Sequence, residues 1–541
     1  MEKVLLLGDE AIAQGAIDAG LSGIYAYPGT PSTEIMEYIL NSKEAQKMNI
    51  RSGWAANEKT AMEASLGMSY AGKRSIVCMK HVGLNVAADA FVNSAITGAN
   101  GGLIVVVADD PSMHSSQNEQ DSRFFGQFAM IPIFEPVNQQ EAYDMMHFGF
   151  DVSEKFGIPV MMRITTRLAH SRSGIIRKNI RKQNDIKLPV SANQFILLPS
   201  NARKRFKLLL DNQENFIRNS ENSPFNVLFE GNDRSLGIIT GGIGYNYLME
   251  NFPDRNIPFP VLKIGQYPLP KNKIEAIYNQ CDELLILEDG YPFIEDTLSS
   301  YLGLGKKIKG RLDGTIQRDG ELTPNKVGRA LGFDLPKTIS IPDLVTARPP
   351  KLCKGCPHIY SYNALNDSLA EYTKGRVFSD IGCYTLGALE PFEAINSCVD
   401  MGASITMAKG AADAGFTPAV AVIGDSTFTH SGMTGLLDAV NDKSSVTVVI
   451  LDNATTAMTG GQTSSASGKI EAICEALGVE KDHIILMDPS PKWHEKNMQA
   501  FKKEIAYQGV SVIIPRRECL HTATRRIRDE KKKKEIENVN N

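Results

Sequence analysis

The chain is 541 residues long, which at roughly 150 residues per domain predicts about three or four domains. Apolar residues make up 42% and charged residues 22% of it, the balance of an ordinary globular protein, so disordered, collagen-like and membrane classes are excluded. Lys and Arg total 58 against 62 acidic residues, and the net charge of -4 favours neither nucleic acid nor an anionic membrane as a partner.

Targeting and redox features of the sequence indicate the cytoplasm. The longest strongly apolar runs, such as 103–108 and 446–451, are far shorter than the roughly 18 residues that span a bilayer. The N-terminal apolar run, 4–7, is shorter than the h-region of about 7 to 15 residues in a secretory signal. Eight cysteines are too few for a disulfide scaffold, and clustered cysteines in a reducing compartment more often bind metal or carry out redox chemistry. We therefore expect a cytoplasmic protein that crosses no membrane.

The first elements alternate between short apolar strands and helices. In chain order the pattern predicts strand 24–27, helix 31–41, helix 57–71, strand 75–80, helix 84–97 and strand 103–108. Such alternation is typical of βαβ units around a parallel sheet. It returns at 235–304, with strands at 236–239, 260–264 and 283–287, and again at 376–514, with strands at 419–423 and 446–451.

These patterns predict an α/β protein with three doubly wound, mostly parallel-sheet domains. A polar stretch and a group of prolines at 334–351 separate them. The predicted organisation is a first domain at 1–185, a polar connector at 186–229, a second domain at 230–335, a third domain at 345–520 and a charged tail at 521–541. The tail has almost no apolar residues, which indicates a frayed helix or disorder, with a docking role as the alternative.

The strongest chemical pattern lies late in the chain. One predicted strand runs into Gly424, Asp425 and Ser426, and the next is followed by Asn453. A carboxylate and an amide oxygen at the ends of neighbouring parallel strands can converge on one hard cation, and diphosphate oxygens and the Thr455 carbonyl would complete an octahedral magnesium site. Gly424 would let the backbone approach a phosphate closely. A plain strand-turn-helix without a cation is the alternative.

This pattern resembles the Gly-Asp-Gly...Asn signature of thiamine diphosphate enzymes, with Ser426 in place of the last glycine. Such an enzyme needs a second domain, whose carboxylate hydrogen-bonds the aminopyrimidine ring so that the cofactor can deprotonate its own C2. Glu58, which follows Asn57 at the start of a predicted helix, suits that role. An acid that is favoured at a helix N-terminus by the helix dipole is the alternative.

A second motif lies near the N-terminus. The segment 27–32 (YPGTPS) turns a strand into a helix, for which we predict Thr30 as the N-cap and Pro31 as the first helical residue. Together with the Asn-Glu-Lys helix start at 57–59, this segment resembles the pyrimidine-binding domain of 2-oxoacid:ferredoxin oxidoreductases. More narrowly, the chain resembles the alpha subunit of indolepyruvate ferredoxin oxidoreductase over roughly residues 1 to 520. The resemblance is clearest in GDEAIA at 8–13, MKHVGLN at 79–85 and DDPSMHSSQNEQDSR at 109–123.

The resemblance implies catalytic roles for four residues. Thr30 matches the family threonine near the substrate, and Glu58 matches the glutamate that faces the aminopyrimidine. His81 and Arg123 are implied as contacts of the substrate carboxylate or carbonyl. From the residues alone, the pair Lys80 and His81 at the end of a strand could hold an anion, and a hydrogen-bonded structural histidine is the alternative.

The resemblance also implies a set of cofactor contacts in the third domain. They are Ile381, Gly382, Cys383, Tyr384, Gly402, Gly424, Asp425, Ser426, Asn453, Thr455, Met458 and Thr459. Of these, Asp425, Asn453 and Thr455 are implied as the ligands of magnesium.

Four cysteines are placed where one metal centre could collect them. Cys353 and Cys356 form a CxxC, Cys383 follows 27 residues later (383 minus 356), and Cys519 ends the last predicted strand. Four thiolates can hold one 4Fe-4S cluster, and the related oxidoreductases ligate a proximal cluster from comparable places. Zinc is an alternative, because a CxxC with His358 nearby also offers suitable ligands, and so is the absence of any centre.

The implied activity joins these parts. An arylpyruvate is decarboxylated with thiamine diphosphate and Mg2+, one 4Fe-4S cluster takes the electrons, coenzyme A takes the acyl group, and ferredoxin is the electron acceptor. The implied partners are ferredoxin and a smaller beta subunit, in a heteromer such as a dimer of heterodimers. The alpha subunit usually continues into a ferredoxin-like domain, and no cysteine follows Cys519 here, so we expect electrons to leave through another protein.

Two other functions stay open. A non-oxidative thiamine diphosphate-dependent decarboxylase or ligase would keep Glu58, Asp425 and Asn453 and need no cluster. A non-catalytic partner subunit would keep the fold and bind no cofactor, and the intact Glu58, Thr30 and Asn453 argue against it.

Overall fold

The computed structural model describes residues 3–189, 193–302, 306–335, 341–346 and 350–540. The chain forms two compact units, Met1–Ile339 and Ser340–Asn541. None of the helices among the described residues is both long enough and apolar enough to cross a membrane.

The first unit alternates strands and helices from its N-terminus. Its strands are β1 (Lys3–Leu7), β2 (Gly23–Ala26), β3 (Arg51–Trp54), β4 (Ser75–Lys80), β5 (Leu103–Asp109), β6 (Ile133–Phe134), β7 (Val160–Thr165), β8 (Arg172–Ile176), β9 (Val227–Phe229), β10 (Leu236–Gly241), β11 (Val261–Ile264), β12 (Gln266–Tyr267), β13 (Glu283–Leu287) and β14 (Ile308–Lys309). Its helices are α1 (Gly8–Asp18), α2 (Thr33–Asn41), α3 (Lys43–Lys47), α4 (Glu58–Tyr70), α5 (His81–Thr97), α6 (Arg123–Phe128), α7 (Gln139–Phe156), α8 (Thr166–His170), α9 (Pro199–Asp211), α10 (Gln213–Glu221), α11 (Gly244–Glu250), α12 (Lys271–Gln280), α13 (Phe293–Leu302) and α14 (Pro324–Ala330).

Two main sheets organise this unit. Seven strands lie in the order β12-β6-β7-β5-β4-β2-β3, and all pairs are parallel except β12 with β6. Every residue of β4, β5 and β7 is buried. Their largely apolar sequences are typical of parallel strands that are covered on both faces. Five further strands lie in the order β14-β13-β10-β11-β9, with β9 antiparallel to β11. The predicted α/β class with mostly parallel sheets is confirmed.

The second unit has one large sheet. Its strands are β15 (Val377–Ser379), β16 (Ser397–Cys398), β17 (Ala419–Gly424), β18 (Val446–Leu451), β19 (Thr455–Thr456), β20 (Gln462–Thr463), β21 (Ile484–Met487) and β22 (Val510–Pro515). Its helices are α15 (Pro357–Ser368), α16 (Ala403–Asp413), α17 (Asp425–Thr427), α18 (Met433–Asn441), α19 (Ile470–Ala476), α20 (His494–Ile505) and α21 (Leu520–Asn540). The parallel order β16-β15-β17-β18-β22-β21 puts β17 and β18 at its centre, where each of their residues is buried.

One predicted helix start is wrong. Helix α2 begins at Thr33 with Ser32 as its N-cap, and not at Pro31 with Thr30 as the cap. The reason is a local turn, in which the Ser32 hydroxyl donates to the Gly29 carbonyl (2.8 Å) and the Gly29 N–H donates to Thr33 Oγ1 (3.0 Å). These bonds hold the chain out of helical geometry until Thr33 and leave Thr30 on the loop.

The predicted polar connector and tail are more regular than expected. The stretch 186–229 contains α9 and α10, and Arg205 donates to the carbonyls of Ile96 (3.2 Å) and Thr97 (2.8 Å). Strand β8, which follows directly after α8, pairs antiparallel with β1. The tail is helical, as α21, which agrees with the helical alternative predicted for it. The three predicted domain ranges stay predictions, and the first two of them fall within the first unit.

Candidate functional site

Three predicted residues of the first unit follow three adjacent parallel strands. Strand β2 lies between β3 and β4, with Ala26 level with Trp54 and with Cys78. Thr30 follows β2, Glu58 follows β3 and His81 follows β4. Because parallel strands present their carboxyl ends at one edge, this is the edge where α/β sheets bind ligands.

Glu58 is the first residue of α4 and is held there by its surroundings. The side chain of Asn57 caps the helix by accepting from the Thr60 N–H (2.9 Å), which fixes where the helix begins. The Glu58 side chain is 5% exposed and packs against Gly83 of α5, where a Cβ atom would lie only 2.5 Å from Glu58 Oε1. Because Gly83 has no side chain, it leaves room for the Glu58 carboxyl group.

Lys80 and His81 bring cationic and imidazole groups to the same edge. Lys80 Nζ donates to the Ser115 carbonyl (2.8 Å), and burial lowers the pKa of this lysine to about 8. The ring of His81 is buried, with Nε2 3.2 Å from the Asn118 carbonyl and with a buried Nδ1 that has no hydrogen-bond partner among the described residues. Gly29, next to Thr30, would place a Cβ only 3.2 Å from Lys80 Cβ. A lysine and an imidazole beside the Thr30 loop suit a substrate carboxylate.

Arg123 lies in a buried ionic cluster of the first unit. Its side chain is fully buried, donates to Asp121 Oδ1 through Nε (2.9 Å) and contacts Glu288 at 2.9 Å through Nη1. Nη2 donates to Asp121 Oδ2 (2.5 Å) and to the carbonyl of Tyr291 (3.0 Å). Neighbouring Arg163 is buried in the same way against Asp109. These contacts give Arg123 a structural task, and its contact with substrate stays a prediction.

Asp425 and Asn453 stand at the carboxyl edge of the second unit's sheet. Gly424 at the end of β17 is level with Leu451 at the end of β18, so the residues that follow come together. Asp425 is 2% exposed, and its Oδ2 has no hydrogen-bond partner among the described residues. Burial, reinforced by the neighbouring charge of Asp452, raises the pKa of Asp425 to about 7. A buried carboxylate oxygen that lacks a protein partner fits the role of a metal ligand.

Three polar groups of Asn453 make contacts within the protein. Its Oδ1 accepts from the Thr455 N–H (3.1 Å), and its Nδ2 lies 3.3 Å from Nε2 of His358. Its backbone carbonyl accepts from the Cys519 N–H (3.2 Å). Burial lowers the pKa of His358 to about 4, so this imidazole is neutral and can accept from the amide. These bonds fix the amide orientation, and the second lone pair of Oδ1 remains available to a cation.

The donor set fits magnesium. An unpartnered carboxylate oxygen of Asp425, the amide oxygen of Asn453 and the carbonyl of Thr455 are all hard oxygen ligands. Gly424 also has a packing role, because a Cβ there would lie 2.5 Å from the ring of Tyr384, whose hydroxyl hydrogen-bonds Asp380. Its expected close approach to a phosphate stays a prediction.

The other predicted cofactor contacts of the second unit lie on the loops around this edge. The Ile381 carbonyl accepts from the Thr427 hydroxyl (3.2 Å), and Gly382 donates from its N–H to Thr385 Oγ1 (3.0 Å). The remaining positions are Gly402, which caps α16 with φ of +93°, Ser426, whose hydroxyl accepts from Thr456 (2.9 Å), exposed Met458, and Thr459, whose hydroxyl hydrogen-bonds Gln462 (2.8 Å). Their contacts with a cofactor stay predictions.

The four predicted cysteine ligands line one cavity of the second unit. The cavity has a volume of about 250 Å³ and is lined by Cys353, Cys356, Cys383 and Cys519. Its wall also includes Leu352, Pro357, His358, Leu386, Asn453, Ala457, Leu520 and His521. Three separate segments of the chain thus bring their thiols to one place, and the sequence predicted this set.

Local geometry explains how the CxxC pair is presented. Gly355 has φ of +80°, which allows a turn in which the Cys356 N–H donates to the Cys353 carbonyl (2.9 Å). Cys356 then caps α15, whose backbone N–H at His358 favours the thiolate. Burial, together with the nearby Cys353 and Cys519, nevertheless raises the pKa of Cys356 to about 11. Binding of a metal centre would favour the deprotonated form of this thiol.

Burial also raises the pKa of Cys383 to about 12, reinforced by the other three thiols. The cavity is wide for a single ion, because no three cysteine or histidine ligand atoms around it lie within 4.8 Å of one another in the described part of the chain. Zinc with bonds of about 2.3 Å to sulfur would need its ligands about 3.8 Å apart. The spacing favours a centre larger than one zinc ion.

Two details of this cavity differ from the sequence expectation. Cys519 does not end a strand, because β22 ends at Pro515 and Cys519 directly precedes α21. His521, which sequence reasoning missed, lies with Nε2 3.2 Å from Cys353 Sγ. Its only signal in the sequence is its place two residues after Cys519.

Two family models match the chain. Residues 14–201 match the model described as pyruvate flavodoxin/ferredoxin oxidoreductase, thiamine diP-bdg, and this range includes Glu58. Residues 380–514 match the model described as thiamine pyrophosphate enzyme, C-terminal TPP binding domain, and this range includes Asp425 and Asn453. The two matches fall on the two sheet edges described above.

Curated relatives are similar to nearly the whole chain. Indolepyruvate oxidoreductase subunit IorA of Archaeoglobus fulgidus is 38% identical over 547 residues, which cover 96% of this chain and 86% of that protein. The subunit of the same name from Pyrococcus horikoshii is 36% identical over 590 residues, which cover 100% of this chain and 89% of that protein.

Among solved structures, the chain is similar to a 2-oxoglutarate:ferredoxin oxidoreductase from Magnetococcus marinus, with a TM-score of 0.50 and 16% identity. The match covers 61% of this chain and 65% of that one, and it supports the fold alone. The curated relatives go further, because they are similar to almost every part of the chain, including both matched domains. The chain therefore belongs to the indolepyruvate oxidoreductase subunit IorA family, and it is an alpha-subunit enzyme of the thiamine diphosphate-dependent 2-oxoacid:ferredoxin oxidoreductases.

Proposed function

We propose that this chain catalyses the oxidative decarboxylation of arylpyruvates. In the balanced reaction, one arylpyruvate, one coenzyme A and two oxidised ferredoxins give one arylacetyl-CoA, one carbon dioxide, two reduced ferredoxins and one proton. The observation that carries the oxidative half of this proposal is the cavity lined by Cys353, Cys356, Cys383 and Cys519. A decarboxylase without electron transfer would have no use for four thiols gathered from three segments.

Residues at the two sheet edges would hold the cofactor. Asp425, Asn453 and the Thr455 carbonyl would bind Mg2+ and, through it, the diphosphate. Glu58 would hydrogen-bond the aminopyrimidine ring, and Gly83 sets the position of its carboxyl group. Thiamine diphosphate, when bound, supplies the nucleophilic carbon and the electron sink that decarboxylation of a 2-oxoacid requires.

The substrate would be oriented by the Thr30 loop and its neighbours. Lys80 offers an ammonium group that donates to oxygens of Ser115, and it would pair with the substrate carboxylate. The buried, unpartnered Nδ1 of His81 would hydrogen-bond the substrate carbonyl or carboxylate, and Thr30 would add a hydroxyl. Such fixed contacts orient the scissile bond before reaction.

The cysteines would hold one 4Fe-4S cluster, which accepts electrons one at a time when bound. Asn453 belongs both to the proposed magnesium ligands and to the wall of the cysteine cavity. The residues that would hold thiamine diphosphate through Mg2+ and the residues that would hold the cluster therefore meet at Asn453.

Substrate and partners are proposed from the relatives. Their name, indolepyruvate oxidoreductase, supports an aromatic 2-oxoacid, and coenzyme A and ferredoxin are proposed from the reaction class. A name that denotes one subunit supports a second, smaller beta subunit in a heteromer. We place the reaction in the cytoplasm.

The test is anaerobic purification with iron, acid-labile sulfide and thiamine diphosphate measured on one sample. We expect about four irons per chain, with iron lost from Cys353→Ala and from Cys519→Ala while thiamine diphosphate stays bound. Cys398→Ser is the matched control, because this exposed cysteine lies in the same unit and outside the cavity, and its iron content should equal that of the wild type.

Other outcomes discriminate among the functions. Bound thiamine diphosphate without iron, with free aldehyde released in the absence of coenzyme A and an acceptor, would establish the non-oxidative decarboxylase. Iron with no reduction of ferredoxin by indolepyruvate, but with reduction by 2-oxoglutarate, would keep the mechanism and overturn the aromatic substrate. Both assays use the chain together with its co-expressed beta subunit.

A further inference from the structure

A group of three potential metal ligands lies in the first unit, and none of its members is among the site residues used above. Asp9, in the first turn of α1, Glu34, in the first turn of α2, and His170, the last residue of α8, each offer one ligand atom, and these atoms lie within 4.8 Å of one another. Among the described residues, this is the only such group of three or more histidine, cysteine or carboxylate ligands.

Asp9 is the unusual member of the group. It is 0% exposed, and neither of its carboxylate oxygens has a hydrogen-bond partner among the described residues. One oxygen of Glu34, Oε2, is likewise buried and unpartnered, while Oε1 lies 3.6 Å from His170 Nε2. A buried carboxylate without a partner carries a large desolvation cost, so its persistence beside a second carboxylate needs an explanation.

The ionisable groups around Asp9 also lack a balancing positive charge. The carboxyl group of Asp9 is fully buried, and the carboxyl groups of Glu34 and Glu10 lie near it. The described part of the chain shows no lysine or arginine in an ion pair with Asp9 or Glu34, and the group paired with Glu34 is the imidazole of His170, with Nε2 3.6 Å from Glu34 Oε1. A bound cation would supply the positive charge that the protein does not.

The group is also open to solvent on one side. Glu34 is part of the wall of a cavity of about 450 Å³, which Glu10 and Glu37 also line. His170 is itself exposed. An acidic cavity whose wall includes Glu34 concentrates cations beside this group.

We propose that Asp9, Glu34 and His170 bind one divalent first-row transition-metal ion, of which Mn2+ and Zn2+ are the representative cases. Two carboxylates and one imidazole suit these ions better than Mg2+, which prefers oxygen ligands alone. Metal-ligand bonds of about 2.0–2.2 Å place neighbouring ligand atoms about 3–3.5 Å apart, so ligand atoms that lie within 4.8 Å of one another need to close by at most about 1–2 Å.

An ion here would have a definite structural effect. It would join the first turns of α1 and α2 to the end of α8, and Glu34 stands four residues after Thr30. The loop that carries Thr30 would thus be anchored at its far end. This inference does not depend on the proposed function, because none of the three residues belongs to the proposed cofactor or cysteine sites.

The experiment is a titration of the full chain with Mn2+, followed by the loss of the EPR signal of free Mn2+. Excess Mg2+ is present throughout, so that the oxygen-ligand site at Asp425 is filled, and thiolates bind Mn2+ poorly. We expect one Mn2+ per chain that Mg2+ does not displace and that Zn2+ displaces. Asp425→Asn should bind the same single Mn2+, which separates this site from the proposed catalytic one.

Variants decide whether the three residues are the ligands. Asp9→Asn and His170→Gln should each weaken Mn2+ binding at least tenfold, and Glu37→Gln, which removes a charge from the same cavity without removing a ligand, should change it less than threefold. His170 is exposed, so its variant keeps the fold, and Asp9→Asn replaces a carboxyl group by an amide of nearly the same shape, so it should fold as the wild type does. Mn2+ should raise the melting temperature of the wild type and leave that of Asp9→Asn unchanged.

Several results would overturn the proposal. They are no Mn2+ bound by the wild type beyond what Mg2+ displaces, undiminished binding by either Asp9→Asn or His170→Gln, and an equal loss in Glu37→Gln, which would mean that the cavity attracts cations through its charge alone.

Discussion

The contact between Gly83 and Glu58 allows the proposed role of Glu58 to be tested without removing its carboxyl group. In Gly83→Ala the new Cβ would lie 2.5 Å from Oε1, 2.7 Å from Cγ and 2.8 Å from Cδ of Glu58. All three are side-chain atoms, so the glutamate can retreat while the backbones of α4 and α5 stay in place. The substitution is therefore expected to displace the carboxyl group rather than to unfold the unit.

The size of the displacement sets the size of the effect. Optimal contact between carbon atoms is about 3.5–4.0 Å, so the carboxyl group must move by roughly 0.7 Å or more. A misplacement of about 1 Å in an active site can lower a rate about 10²-fold. We therefore expect kcat for the 2-oxoacid to fall about 10²-fold and KM to change little. Overpacking of this kind destabilises a protein by about 1–3 kcal/mol.

The assay measures reduction of a viologen dye by indolepyruvate and coenzyme A, with thiamine diphosphate affinity measured on the same preparations. Gly67→Ala is the matched control, because Gly67 lies on the same helix as Glu58 and a Cβ there meets nothing within 4 Å. It should keep full activity and raise stability by about 0.5–1 kcal/mol. If folded Gly83→Ala retained activity within twofold of the wild type, the position of Glu58 would not matter and its proposed role would fail.

Three further predictions concern charge and metal. Burial raises the pKa of Asp380 from 3.8 to about 7. The free energy of unfolding of the wild type relative to Asp380→Asn should therefore be highest below pH 4 and fall by about 4 kcal/mol as the pH rises to 7. Urea denaturation at each pH measures this difference, and a difference that stays constant over the range would contradict the prediction. Arg163→Met should destabilise the first unit by about 3–5 kcal/mol, because it leaves buried carboxylates unpaired, whereas Arg167→Met, which breaks an exposed pair, should cost about 1 kcal/mol or less in the same denaturation experiment. Asp425→Asn, or removal of Mg2+ with EDTA, should weaken thiamine diphosphate binding at least tenfold in a calorimetric titration, and Ser426→Gly should leave it within threefold; equal affinities with and without Mg2+ would rule out the metal site.

The parts of the fold predicted most accurately are the buried parallel strands. The expected bounds 75–80, 283–287 and 446–451 are those of β4, β13 and β18. Strands with both faces covered are continuous apolar runs bounded by polar or glycine residues, so their limits are visible in the sequence alone. The pairing of β1 with β8 was not predicted, because β8 is made largely of exposed residues and its partner is distant in sequence.

Helix starts were less predictable, because side-chain bonds decide them. Helix α5 begins at His81 rather than at residue 84, since Lys80 leaves β4 in an extended conformation and caps the helix directly. Helix α2 starts late because Ser32 and Thr33 bond to Gly29. Both outcomes depend on which hydroxyl or backbone group finds a partner, and composition does not determine that.

In the candidate site, too, some features were predictable from the sequence and others depended on particular tertiary contacts. Asp425 and Asn453 could be paired from sequence because parallel strands end at one edge, and the register of Gly424 with Leu451 follows from the same rule. The enclosure of Arg123 could not be predicted, because its partner Glu288 comes from a distant strand end. Whether an arginine in such a motif can bind substrate or is held in a buried ionic cluster therefore depends on tertiary contacts, which the sequence does not show.

Asn453 shows why the two chemical centres proposed for the second unit should be treated as one. Its Oδ1 accepts from Thr455, its Nδ2 reaches the neutral ring of His358, and its carbonyl accepts from the backbone of Cys519. A single residue thus links a proposed magnesium ligand set to two residues that line the cysteine cavity. The loss of a ligand at the proposed magnesium site or in the cysteine cavity would disturb the other site through these hydrogen bonds. Substitution of His358 should alter both sites. This coupling is what a reaction needs when decarboxylation and electron removal must follow each other at one cofactor.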